Sequence, residues 1–388
     1  MWMPILLVGG CMGMILFLCF LLQSERVIYS NQSVKFFFFV VALALALFGT
    51  SAKPMADWDS YRHFLLLDEV RESGISFINF MFHNENSVGG EDYVDLYGFN
   101  LVRYISVLLG DNRWLVFILT LLTYCNWAYI SCDFIERYSV RKNSLLIATL
   151  LCFTFLPFIY VPSGMRNAVA TSIAALAIYR FYMKNNGLID SLLLLVLSCT
   201  FHPSMVITLA VFMFSLINKK SLAVIALLLS VIGIESLTII GNHTSIGFFK
   251  LIAEKYVIYK GENISGAFVG YWVADVVGVV LLLLYMLPII IRNRNTLVFF
   301  DSRMSKFLWF LFLYVVTAIT QFGSFNLLRR LCYLFAFFSM PVTYTCVFLG
   351  RKESYFVRSV IMLAFGAIGV LISVYLHAYS FIFTTYIW

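Results

Sequence analysis

Charge is missing from this sequence in long blocks. Twelve stretches run largely apolar, at 2–22, 34–51, 113–132, 144–162, 166–183, 188–201, 203–217, 221–241, 268–291, 305–323, 328–349 and 356–378. A helix needs about 20 such residues to cross about 30 Å of hydrocarbon. In lipid the backbone must satisfy its own hydrogen bonds, which single helices do. Only 12% of the 388 residues are charged and 62% are hydrophobic, against about 25% and about 45–50% in soluble domains. A soluble core stops growing near roughly 250–300 residues and could not hide this surface. A soluble enzyme, a DNA-binding module, a disordered chain and a disulfide scaffold are thereby excluded. The expected fold is all-α: a polytopic integral membrane protein of about twelve transmembrane helices, one transmembrane domain over 1–388. Met3–Leu22 has no basic segment before it and reads as a first span rather than a cleavable signal.

Positive charge orients such a chain. Arg26, Lys35, Arg137, Arg141, Lys142, Arg180, Lys184, Lys219, Lys220, Arg292, Arg294, Arg303, Lys306, Arg351, Lys352 and Arg358 fall in or beside one set of short connections. That side reads as cytoplasmic, with both termini outside. The opposite side carries two long loops, 52–112 and 242–267. Loops of that length in compact proteins are usually functional. Within the first, Phe99–Leu109 reads as an amphipathic, interfacial helix with Asn100 and Arg103 on its less apolar side. Residues 188–217 read as a hairpin of two short helices meeting at Thr200–Ser204. One long helix there would put Lys219 and Lys220 outside and invert everything downstream.

The cations that break the orientation rule carry the functional argument. Arg166, Arg329 and Arg330 each open a span on the outward side. Arg166 and Arg180 are 14 residues apart, about 21 Å of helix, so one end must sit within the membrane zone. The small residues between them suit close helix packing. Arg166 then faces a protein-lined cavity, or else snorkels to lipid headgroups; Arg329 and Arg330 carry the same two readings. Three guanidinium groups at helix starts suit a phosphate or pyrophosphate. His202, at the hairpin apex, is a satisfied polar residue, a general base or a phosphate ligand. Asp57 and Asp59 open the long loop, and Asp57-x-x-x-Tyr61 makes an i,i+4 pair. Glu91, Asp92 and Asp95 stand beside Tyr93, Tyr97 and Phe99, a composition that suits sugar hydroxyls and sugar faces as well as a solvated loop. The eight Cys include no CxxC pair and read as buried hydrophobes. No Walker loop, GxGxxG, HExxH, GxSxG or Cys/His metal spacing is present. No metal or cofactor is expected, and no nucleic-acid partner.

Asp57-x-x-x-Tyr61, Gly164-Met165-Arg166-Asn167-Ala168-Val169-Ala170, Phe201-His202-Pro203-Ser204 and Arg329-Arg330-Leu331-Cys332-Tyr333-Leu334-Phe335, in that order, resemble the motifs of the EpsG-like, Wzy-type polysaccharide polymerases of bacterial envelopes. The resemblance implies an enzyme of the bacterial inner membrane that joins oligosaccharide repeat units carried on undecaprenyl pyrophosphate, at the outer face, into O-antigen or a related surface polysaccharide. It implies Arg166, Arg329 and Arg330 as pyrophosphate ligands. His202, Asp57, Asp59 and Glu91 are then catalytic candidates, and Tyr61, Arg103 and Tyr333 substrate contacts. The lipid-linked oligosaccharide, membrane lipids and a chain-length regulator are the expected partners. A flippase for the same lipid and a membrane O-acyltransferase are the rival readings.

Overall fold

The computed structural model describes residues 31–51, 59–82, 96–138, 143–217, 221, 224–225, 269–292, 302–321, 324–348 and 355–382. Among them the chain is helical, with no strand. In order the helices are α1 (Asn31–Gly49), α2 (Asp59–Ser73), α3 (Phe77–Phe82), α4 (Tyr97–Leu108), α5 (Arg113–Tyr138), α6 (Asn143–Phe155), α7 (Tyr160–Ser163), α8 (Met165–Lys184), α9 (Leu188–Cys199), α10 (Met205–Ser215), α11 (Val269–Arg292), α12 (Ser302–Thr320), α13 (Phe325–Phe337), α14 (Ser339–Thr343) and α15 (Tyr355–Ile382). The expected span 2–22, nearly all of 221–241 and the loop 242–267 lie outside the described residues. The other ten expected spans fall on helices. Among the described residues four helical stretches are long and apolar enough to cross a membrane: Arg113–Tyr138, Ser144–Ser163, Arg303–Thr320 and Tyr355–Ser373. They become five if α13 and the segment after it, bent from it by 80°, form one broken span. That compares with twelve expected over the whole chain. The bend comes at Phe338, just before Pro341, whose ring cannot donate a helical hydrogen bond.

α8 lies at the centre. It is buried almost all round, and Ala168, Ala170, Ala174, Ala175 and Ala177 let neighbours approach closely. It packs against α5, α9, α10, α12 and α13. It ends on Asn185, in the left-handed region at φ 58°, and Gly187 then starts α9 back along it. Two contacts fix the path of 188–217. Ser204 Oγ donates to Asn167 Oδ1 near the start of α8, at 3.2 Å. Ser215 Oγ meets Tyr182 Oη near its end, at 2.5 Å. α10 therefore runs parallel to α8 and α9 antiparallel to it. This is the expected hairpin, with Pro203 interrupting the helix at its apex.

The stretch after α1 folds over the Arg166 end of the bundle as α2, α3 and α4. α4 covers the expected interfacial helix, and its less apolar side turns toward the bundle. Asn100 and Arg103 point inward and are buried, while Leu101, Ile105 and Leu108 are exposed. An exposed apolar face costs nothing against lipid, whereas Arg103 inside gains Asn100 Oδ1 at 2.9 Å and the rings of Phe80 and Phe99 at 5.4 and 5.5 Å. α4 sits directly on the hairpin apex. A methyl group on Gly98 would collide with Thr200 Oγ1 and come within 2.7 Å of the Phe201 ring.

Candidate functional site

Asp59, Arg166, His202 and Arg330 come together at the end of the bundle covered by α2 and α4. Arg166, one residue into α8, forms an ion pair with Asp59, its Nε donating at 3.2 Å and its Nη2 closer still. Its guanidinium also lies 5.6 Å from the centre of the Phe99 ring, within reach of a cation–π attraction. α8 starts on Gly164, which has no side chain to cap it. The positive end of the helix therefore backs the guanidinium. The two partners differ in access: the Arg166 side chain is 7% exposed and that of Asp59 31%. Burial raises the cost of charge on Asp59, but the Arg166 charge and hydrogen bonds outweigh it and hold the carboxyl well below the usual carboxylate range.

A second line of contacts leads from Arg330. Its Nη1 lies 3.1 Å from His202 Nε2. A guanidinium only donates, so Nε2 accepts in this contact. Nδ1 meets Ser204 Oγ at 2.7 Å, and Ser204 passes the chain on to Asn167 Oδ1. Contacts thus run from Arg330 through His202 and Ser204 to Asn167, the neighbour of Arg166. Both His202 nitrogens are engaged, and the ring orients Arg330.

Arg329 is placed differently from its neighbour. Consecutive helical residues project about 100° apart, so the two cannot clamp one anion from the same face. Arg329 turns into the bundle, where Nη1 donates to Asp275 Oδ2 of α11 at 2.9 Å, with both side chains almost fully buried (3% and 2% exposed). It also stacks on Tyr160 at 4.3 Å. Tyr333, one turn along, is buried with its ring 6.3 Å from that of Tyr160. Arg103 is buried beneath Phe99, and Tyr61 is on an exposed face of α2. Asp57 and Glu91 lie outside the described residues.

Sequence reasoning missed His63 and Asp275. His63 is one turn from Asp59 on α2, fully buried, its ring packed edge-on to Phe99 at 4.7 Å. Burial, then the Arg166 and Arg103 charges, push its pKa well below the ordinary histidine value. The i,i+4 relation was visible in sequence; on the described part of α2 the pair at the site is Asp59 and His63, and Asp57 lies outside the described residues. For Asp275 the signal was a lone acid inside an apolar run, which needs a partner in the membrane zone. Among the described residues no three His, Cys, Asp or Glu side chains gather as a metal site would require.

A buried small-residue helix, apolar outer faces and several helices long and apolar enough to cross a bilayer define an all-helical membrane protein. Residues 14–387 match the EpsG family, and the chain belongs to it. Membership points to a polysaccharide polymerase-type function in the membrane. No curated protein and no solved structure matches the chain.

Proposed function

We propose that the protein joins oligosaccharide repeat units carried on undecaprenyl pyrophosphate into O-antigen or a related surface polysaccharide, at the outer face of the bacterial inner membrane. In this reading the Arg166 end faces outward. The opposite end, where Lys35, Arg137 and Lys184 pair with Glu136 and Asp133, faces the cytoplasm. A hydroxyl of the acceptor sugar attacks the anomeric carbon of the donor, and the lipid pyrophosphate leaves with the bonding pair. The donor brings its own good leaving group, so no nucleotide is consumed. Arg166 and Arg330 stabilise the charge that grows on the departing phosphate, which lowers the barrier because that charge is greatest in the transition state. His202 and Ser204 aim Arg330. Arg329 fixes the helix that carries it. Asp59 and, in the segment outside the described residues, Asp57 and Glu91 are the carboxylates available as base.

The observation that supports this most is that two guanidinium groups from separate helices, Arg166 at the start of α8 and Arg330 in the second turn of α13, converge on one partly open end through Asp59 and His202. The test is Arg166→Ala in a deletion strain complemented with the variant. We expect the variant to insert in the membrane, lipid A to carry single repeat units, and the glycan ladder to disappear. Wild-type ladders from an inserted variant would remove the anion site, and loss of all exported repeat units would favour a flippase.

A further inference from the structure

We propose that Asp59 occupies the phosphate position of the site, and that the arriving donor displaces it from Arg166 and so releases it as the base for the acceptor hydroxyl. The inference rests on the polymerase reading above and assigns the base within it.

Three observations lead there. The first is geometric. An arginine meant for a phosphate needs an anion while the site waits, because a buried guanidinium without one is costly. Asp59 fills that role with one carboxylate oxygen accepting from both Nε and Nη2, the fork a phosphate oxygen would use. The second is the difference in access. Arg166 is walled in by Phe99 and its own helix, while Asp59 is the exposed member of the pair. An anion from outside therefore replaces the carboxylate and leaves the guanidinium where it is. The third is elimination. Both His202 ring nitrogens are already engaged, Nε2 with Arg330 and Nδ1 with the Ser204 hydroxyl and backbone N–H. Among the described candidates that leaves a carboxylate.

The exchange also sets the chemistry. Burial opposes the charge on Asp59, and Arg166 contributes most to keeping it ionised, ahead of His63 and Arg330. Once phosphate takes Arg166, the same carboxylate regains its affinity for a proton, at the moment the donor is seated. The acceptor O–H proton then moves to Asp59, the new O–C bond forms at the anomeric carbon, and the C–O bond to phosphate breaks with its electron pair going to the pyrophosphate. Arg166 and Arg330 neutralise that charge. Without a donor, Asp59 stays tied up and the site has no working base, which guards against hydrolysis of stray sugars.

The test uses the full chain in lipid nanodiscs with inorganic pyrophosphate as probe, by calorimetry, alongside ladders from complemented cells. Asp59→Asn removes the competing charge but keeps an acceptor for Arg166. We expect it to bind pyrophosphate on the order of tenfold more tightly than wild type, the weight of one charge-assisted contact, while polymerisation falls by about 100-fold or more, as for loss of a general base. Asp59→Glu restores a carboxylate and should return binding to the wild-type level with partial ladders. Weaker or unchanged binding by an Asp59→Asn protein that elutes as the wild type does would overturn the exchange. Tighter binding with full ladders would overturn the base assignment. If wild type and Arg166→Ala both fail to bind pyrophosphate, the diphosphate site itself falls, and this inference with it.

Discussion

His63 is the side chain whose environment makes the sharpest demand at the scale of single residues. It is packed between Phe99 and the Asp59–Arg166 pair, with the charges of Arg166, Arg103 and Arg62 acting against its protonation and that of Asp59 acting for it. The balance depresses its pKa. A depressed pKa means that the unfolded chain binds a proton near the ordinary value of 6.5 while the native chain does not. Stability is then full above about pH 6.5 and is lost as pH falls toward the folded value, with a slope of about 1.4 kcal/mol per pH unit. Thermal unfolding in nanodiscs from pH 7 to pH 5 should show this decline, and His63→Gln should be flatter by that amount; an identical slope would mean that His63 titrates in the native protein. Asp59 has the opposite exposure to this range. Its depressed carboxyl adds stability that acid removes only below its ordinary value of 3.8, so it does not contribute to the slope. Legibility in the sequence differed between the two for a physical reason. A cation inside an apolar run conflicts with membrane energetics whatever surrounds it, so Arg166 and Arg330 were visible. His63 sits on a helix whose first residue decides which i,i+4 pair faces inward, and nothing in residues 57–63 fixes that start.

At the scale of elements, the question is how α13 comes to present Arg330 and not Arg329. The buried pair between Arg329 and Asp275 ties α13 to α11, and the angular step between successive residues then turns Arg330 toward His202. The contact is a locator more than a source of stability. Removing one member of a buried pair costs about 3–5 kcal/mol, whereas replacing both by apolar residues of similar size is often neutral. Arg329→Met or Asp275→Leu alone should therefore lower stability by about 3 kcal/mol or more. The double variant should recover most of that loss, and retain ladders. Recovery of stability without recovery of ladders would show that Arg329 touches substrate, as its place beside Arg330 in the sequence first implied. Helices were the legible part of this level: ten apolar runs became helices, and the hairpin at 188–217 followed from charge placement plus Pro203. The rotation of α4 was not legible. An amphipathic pattern says which face differs, but in a membrane protein the polar face can turn inward when the outside is lipid, and Arg103 does so.

At the scale of the molecule, the two ends carry charge of different kinds. Around Asp133, Lys184 and Arg137 form ion pairs that remain partly open, with Tyr179 Oη donating to Asp133 Oδ2 at 2.7 Å. Around Asp59, the cation is buried and its anion is open. In the orientation proposed above, the first arrangement is how basic residues retained on the cytoplasmic side settle against a helix bundle, and the second is a site that waits for an anion. If that contrast is an orientation, then the chain between α3 and α4, which contains Ser87 outside the described residues, lies on the outer side together with Asp59. A cysteine at Ser87, in a background with the native cysteines replaced, should react with a membrane-impermeant maleimide in intact spheroplasts. A cysteine at Lys142, between α5 and α6 at the other end, should react only after lysis. The reverse pattern would place the Arg166 end in the cytoplasm. A lipid-linked donor would then have to be used before export, and a cytoplasmic sugar donor would have to meet these arginines instead.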